Sequence, residues 1–288
     1  MRRAGCLLAC LVAIGTVGVS ARAAESQPGG EKYTLRYKFR AGETLRWKVV
    51  DRTEMHTTVS EVSQTVETNS ASIKAWRVKG VQPDGTATFE HLVESVDMRH
   101  QMTGRGEVRY NTQTDVQPPP FYAGVAAAVG VPLSVITLDA RGRVQKRIQK
   151  PIKGAAQGEG DITISLPEEA VSVGHTWSVP GEVAVQANDG MMVKVKTVQK
   201  FTLRSIKGGV ATIEFATLIL TPIHDPAIES QVMHCQTTGS VRFDIAAGRL
   251  LSRQMALDKH VVGFRGEASS LHYVTHFTEE LLPAETQR

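Results

Sequence analysis

Apolar and polar positions alternate along most of the chain, with a period of two rather than 3.6. Tyr33, Leu35, Tyr37 and Phe39 fall on one side of an extended segment, with Thr34, Arg36 and Lys38 on the other. Ala41-Gly42-Glu43 marks a turn, after which Leu45, Trp47 and Val49 resume the alternation. This predicts a hairpin over a one-sided core. Residues 53–72 are rich in Thr, Ser and Val, a composition that suits long, exposed strands. Gln82-Pro83-Asp84-Gly85 is a turn, because proline fixes φ ahead of the bend and glycine accepts positive φ after it. Residues 86–98 form the returning strand. Further turn signals stand at Gly104-Arg105-Gly106, Asp139-Ala140-Arg141-Gly142-Arg143, Asn188-Asp189-Gly190, Lys207-Gly208-Gly209 and Ala246-Ala247-Gly248-Arg249. One stretch departs from the pattern: Pro118-Pro119-Pro120 stops any strand, and residues 121–129, with three consecutive alanines, predict a short helix.

The pattern is also written twice. Gly85-Thr86-Ala87-Thr88-Phe89-Glu90 returns as Gly209-Val210-Ala211-Thr212-Ile213-Glu214, 124 residues on. Gly106-Glu107-Val108-Arg109-Tyr110 returns as Gly239-Ser240-Val241-Arg242-Phe243 after 133, and the Gly42 to Trp47 stretch is echoed by Gly174-His175-Thr176-Trp177 after 132. A repeat sets the unit of architecture. The expected fold is therefore all-β, with two tandem copies of a strongly curved antiparallel sheet, half-barrel or sandwich-like, and one short helix near 121–129. Residues 33–150 make the first repeat and 162–282 the second. Residues 151–161, rich in Gly with little apolar content, link them, and 283–288 form a tail.

The first 23 residues change the electrostatic picture. Arg2 and Arg3 precede an apolar run, and Ala21-Arg22-Ala23 offers a small-residue cleavage site, the layout of a secretory signal. A polar leader, 24–32, follows. Leu7-Leu8-Ala9-Cys10 also has the look of a lipoprotein box. The protein is thus expected in the periplasm or outside the cell, with membrane association only if the N-terminal segment is retained or Cys10 is lipidated. Removing Arg2, Arg3 and Arg22, with no acid among the first 23 residues, lowers the formal charge from +4 to +1. A nearly neutral domain is a poor nucleic-acid binder. Basic residues cluster only at Arg141, Arg143, Lys146 and Arg147, which one turn and its following strand explain. Cys235 is left alone in the mature chain, so no intramolecular disulfide forms and the thiol reads as a small core residue.

Signatures of catalysis are missing. The sequence holds no Gly-x-Ser-x-Gly elbow, no His-Glu-x-x-His and no phosphate-binding glycine loop. His272 and His276 share a strand face but stand about 13 Å apart, too far for one zinc ion. His224-Asp225, held between Pro222 and Pro226 with Glu229 close behind, is the most distinctive polar group and the candidate binding residue set. As acid and base it would make a hydrolase, but it lacks a second catalytic element. Trp47, Trp76 and Trp177 read as core anchors, and Met98, Met102, Met191, Met192 and Met255 as possible linings of a cavity on a curved sheet.

Tyr33-x-Leu35-x-Tyr37-x-Phe39-x-x-Gly42-Glu43, the turn Val81-Gln82-Pro83-Asp84-Gly85-Thr86-Ala87 and Val171-Ser172-Val173-Gly174-His175-Thr176-Trp177 resemble a family of exported bacterial β-rich proteins with no assigned activity. The resemblance spans nearly the whole mature chain but carries no catalytic residue. The expected function is a non-catalytic binding protein that holds a lipid, another apolar ligand or an envelope protein on a curved sheet, without a cofactor or metal. The alternative is a structural or envelope-assembly protein that pairs through its sheet edges.

Overall fold

A computed structural model describes residues 30–152, 162–187 and 190–284. The predicted signal segment, most of the leader and of the 151–161 linker, Asn188-Asp189 of one predicted turn, and the end of the tail lie outside these residues. The described residues from Glu31 onward form one compact unit. The described residues are all-β, 59% strand and 8% helix.

The strands are β1 (Thr44–Val59), β2 (Val62–Val81), β3 (Ala87–Met102), β4 (Val108–Asn111), β5 (Pro132–Leu138), β6 (Val144–Gln149), β7 (Thr176–Gln186), β8 (Met192–Lys207), β9 (Val210–Ile219), β10 (Thr238–Asp244), β11 (Arg249–Val262) and β12 (Ser269–Leu281). Two short helices complete the fold, α1 (Ala123–Ala128) and α2 (Pro226–Val232). All strands enter one antiparallel sheet in the order β6-β5-β3-β2-β1-β12-β11-β10-β9-β8-β7, with β4 paired to the far part of β3. The halves meet where β1 pairs with β12 over thirteen residue pairs, from Trp47↔Leu281 to Val59↔Ser269. The sheet is not closed, and β6 and β7 are its edges.

The sheet bends sharply. Consecutive residues Tyr37 and Lys38 donate their backbone N–H groups to Ala140 and to Gly248, at 2.8 and 3.1 Å. These carbonyls sit on the β5–β6 and β10–β11 hairpins, which a flat sheet of this order would hold about 29 Å apart at some 4.8 Å per strand. The curl brings them to either side of one extended segment. Leu35, Tyr37 and Phe39 on that segment are buried among Trp47, Trp76, Phe89, Leu138, Phe201, Ile213 and Phe243. The Tyr37 ring lies edge-on to Phe243 at 5.3 Å, and Phe39 meets Phe89 at 6.2 Å.

One predicted strand, residues 33–39, is therefore corrected. Residues 33–39 and 162–166 alternate as a strand does, but neither joins the sheet. They run as extended segments through the core, tied by Tyr33 to Val171 and by Leu166 to Arg141. Alternation reports an extended backbone with one buried side, whatever its partner. Gly142 and Gly248 let this segment approach: φ is +81° and +64°, and a Cβ would fall 2.4 Å from the Tyr37 ring or 2.6 Å from the Lys38 backbone nitrogen.

Turn chemistry accounts for most of the rest. Gly85, at φ 84°, donates to Gln82 O at 3.0 Å, as the Pro-Asp-Gly sequence predicts. The β1–β2 turn was not legible, since Ser60 and Glu61 hold φ of 47° and 69° without glycine or asparagine. The predicted helix is present as a 3-10 turn (Pro120–Tyr122) leading into α1, with Tyr122 buried against Val96 and Tyr110. Unpredicted α2 packs Val232 against Val185 and Val195.

Candidate functional site

The predicted residues His224, Asp225 and Glu229 lie at the start of α2. Asp225 Oδ1 accepts from the Ala227 N–H at 2.8 Å, which makes it the helix N-cap, and Pro226 takes the first helical position. Glu229 sits in the first turn with its N–H on Asp225 O at 3.0 Å, and both Glu229 and His224 are exposed. None of the three lines either cavity described below.

The more suggestive site stands at the packed end of the sheet, where three chain segments distant in sequence meet. Residues 38–46 run out of the core and into β1, the β10–β11 hairpin supplies Ala246, Ala247 and Arg249, and 281–284 continue from β12. They enclose a cavity of about 450 Å³, within the range typical of small-ligand sites. Its lining includes the apolar side chains of Phe39, Leu45, Leu281, Leu282 and Pro283 and the cations Lys38, Arg40, Arg46 and Arg249, with Glu43 as the single carboxylate in that lining. Glu43 is held by Arg249, whose Nη2 reaches both carboxylate oxygens at 2.7 and 2.8 Å. The Arg249 guanidinium also lies over the Phe39 ring, 5.5 Å from its centre. Arg46 pairs with Glu94 at 2.7 Å, and Lys38 Nζ donates to Ala246 O at 2.9 Å. Arg40 alone among the four makes no side-chain hydrogen bond or ion pair with the described residues. Two of these cations are matched by carboxylates, Arg249 by Glu43 and Arg46 by Glu94, which leaves Lys38 and Arg40 beside the apolar lining, a set that can hold a molecule with a greasy body and a negative head.

A second set of charges faces the interior. Trp47 pairs with Lys74 and Trp76 with His91 across neighbouring strands, so both polar side chains share the core face with the tryptophans. Arg253 and Glu279, directly opposed on β11 and β12, form a buried ion pair at 3.0 Å, and Arg253 stacks over Phe277. Burial holds the Lys74 ammonium below its ordinary range, against the attraction of Glu279. Burial, then the positive charges of Lys74 and Arg147, push the His91 imidazole down to about 4, and its Nε2 is buried without a hydrogen-bond partner. His91 is thus neutral across the physiological range. None of Lys74, His91, Arg253 and Glu279 lines either cavity.

On the outer face, Arg52, Asn69, Asp97, Arg99 and Arg109 line a broader groove of about 530 Å³. Glu107 bridges Arg99 and Arg109 there. The residues singled out as possible cavity linings divide differently. Trp47 and Trp76 are buried core anchors, Met98 lines the 530 Å³ groove, Met191 and Met192 are exposed, and no methionine lines the 450 Å³ cavity. Cys235 is half-buried, with its thiol pushed up by burial.

Sequence reasoning missed the cavity because its parts are polar or apolar residues of ordinary turns. Glu43 and Arg249 are 206 residues apart, and only strand order brings them together.

No family model matches the sequence, and no curated protein matches it. Among solved structures, the chain is similar to lipovitellin, from a structure on lipid–protein interactions, with a TM-score of 0.44 and 12% identity. That match covers 87% of this chain and 27% of the lipovitellin chain. DynF, from the dynemicin biosynthesis pathway of Micromonospora chersina, is similar with a TM-score of 0.21 and 6% identity, over 90% of this chain and 94% of the other. Neither score reaches a shared fold, so the functional reading rests on the site alone.

Proposed function

We propose that the chain is an exported, non-catalytic binding protein for an amphipathic anion, one with an apolar body and a carboxylate-like or phosphate-like head. The observation that carries this reading is the composition of the 450 Å³ cavity, whose lining combines Phe39, Leu45, Leu281, Leu282 and Pro283 with Lys38 and Arg40. A buried apolar tail contributes roughly 0.8 kcal/mol per methylene. A charge-assisted hydrogen bond adds about 1.5–3 kcal/mol, so head and tail together reach micromolar affinity without a deep pocket. The binding site works in the periplasm or outside the cell, where the signal-like segment sends it.

The curved sheet arose by doubling of a smaller unit. Matched bonds support this: Gly42 N–H to Val78 O and Val78 N–H to Glu43 O, at 2.9 Å each, are repeated by Gly174 to Leu203 and Leu203 to His175, at 2.7 and 3.0 Å. Ala87 faces Leu138 of β5 just as Ala211 faces Phe243 of β10. On this reading the partner of β10 in the other copy is β5, and the likeness of Gly106–Tyr110 to Gly239–Phe243 does not mark equivalent strands, since β4 pairs with the other part of β3.

Envelope assembly through free strand edges is less well supported. Pro180 interrupts the hydrogen-bonding groups of edge strand β7, and Lys146 and Arg147 stand on β6, devices that discourage strand addition.

Binding is tested with laurate and dodecanol, which share a tail and differ in the head. Laurate is expected to compete with a fluorescent fatty-acid probe about tenfold better than dodecanol, and Arg40→Glu to remove the difference. Absence of probe binding, or equal competition by both compounds, would overturn the assignment.

A further inference from the structure

The strand register assembles a histidine row that spacing along the chain conceals. His56 on β1 is directly opposite His272 on β12, and His272 is directly opposite His260 on β11. Three imidazoles thus lie side by side across adjacent strands on the outer face, facing away from the core. The His56 and His272 rings stack at 6.0 Å between centres, and the His272 and His260 rings meet at 5.8 Å. His56 and His272 are each close to half exposed. Two imidazoles that share one tetrahedral ion through Zn–N bonds of about 2.0–2.1 Å have ring centres roughly 5.2 Å apart. Each neighbouring pair is therefore within an ångström of the spacing a shared ion demands, while His56 and His260, on strands either side of β12, must both lean toward His272 to share it.

Carboxylates already stand behind the rings. His56 Nε2 contacts Glu54 at 2.6 Å and its Nδ1 contacts Thr65 Oγ1 at 2.8 Å, and His272 Nε2 contacts Asp258 at 2.8 Å. Metal-bound histidines commonly give their other ring nitrogen to a carboxylate, which fixes the ring and raises its basicity. Glu54 also faces Glu67 directly across the β1–β2 pair. Like charges opposed in this way destabilise a sheet, and a bound cation would offset that repulsion. The nearest cation on the face, Arg52, is one step along β1 on the same side and makes no ion pair with the described residues. His276 shares the strand face but faces Arg52 and Ala256 in its own row, without a neighbouring imidazole.

We propose that His56, His272 and His260 hold a divalent transition ion of the zinc, nickel or copper type, with Glu54 and Asp258 orienting the rings. Among the described residues no three ligating groups converge on one point as the side chains stand. Binding therefore turns the rings about their side-chain bonds, with His56 exchanging its contact with Thr65 for the ion. His56 lies ten residues along β1 from Arg46, or about 33 Å, so this site and the amphiphile cavity stand or fall separately.

The test is a calorimetric titration of the full chain with Zn²⁺ in a non-chelating buffer. One ion per chain is expected, with His272→Gln and His56→Gln each weakening binding at least thirtyfold and His276→Gln leaving it within twofold. Circular dichroism checks that the variants remain folded, and the imidazole NMR signals of the three row histidines, but not of His276, should shift on saturation. A titration without saturable binding would overturn the proposal. So would wild-type affinity in His272→Gln, or equal losses in His272→Gln and His276→Gln, which would mark scattered surface binding.

Discussion

Replacing His91 by leucine separates the buried charge set from every other pH-dependent group. In the unfolded chain the imidazole titrates at its ordinary value of 6.5, while the folded protein holds it near 4. The unfolded state then binds the extra proton, so stability falls as the pH drops from about 7 toward 4 and changes no further below that. The full effect is about 3 kcal/mol, and linkage places about 2 kcal/mol of it between pH 7 and pH 5. Leucine has a similar volume, removes the unpartnered Nε2 and cannot titrate, so the variant should be near wild-type stability at pH 7. Urea denaturation followed by tryptophan fluorescence at the two pH values reads the difference directly. Wild type should lose about 2 kcal/mol more than His91→Leu on going to pH 5. Parallel losses in the two proteins, or an imidazole that titrates near 6.5 in the folded state, would refute the placement of His91 in a dry, positively charged environment.

Two further substitutions examine the core. Gly248→Ala must place its methyl 2.6 Å from the Lys38 nitrogen at a φ of +64°, whereas Gly42→Ala, at +82°, meets nothing within 4 Å. The first should cost about 2–4 kcal/mol by thermal or urea unfolding and the second only about 1; equal costs would remove the close approach as the cause. Arg253→Met alone should destabilise by about 3–5 kcal/mol, because Glu279 is left buried without its partner. The double variant Arg253→Met/Glu279→Leu should recover most of that loss, and a simple sum of the two single effects would show that the pair is not coupled.

Legibility in the sequence followed the range of the interaction. Gly85 and Gly142 mark turns that need nothing beyond neighbouring residues, and both turns are present. The helix at 123–128 was signalled by its alanines and by the proline stop before it. The extended segment at 33–39 was legible as alternation, yet its place inside the core depends on two hairpins more than 100 residues downstream. Ser60-Glu61 was missed because the pairing of two long strands, rather than turn propensity, imposes positive φ there. At α2 the rigid Pro222–Pro226 loop suggested a ligand site, and the helix that Asp225 caps there was not signalled. The cavity and the histidine row both depend on register. Neither Glu43 with Arg249 nor His56 with His272 can be paired without knowing that β1 lies beside β12 and that the sheet curls.

The most direct measurement of the binding assignment is a methyl-resolved NMR titration of the protein with laurate. The cavity predicts saturable shifts at Leu45, Leu281, Leu282, Ala246 and Ala247, with the core methyls of Leu138 and Ile213 unmoved. Shifts confined to the α2 region around His224, or spread evenly over the surface, would contradict it.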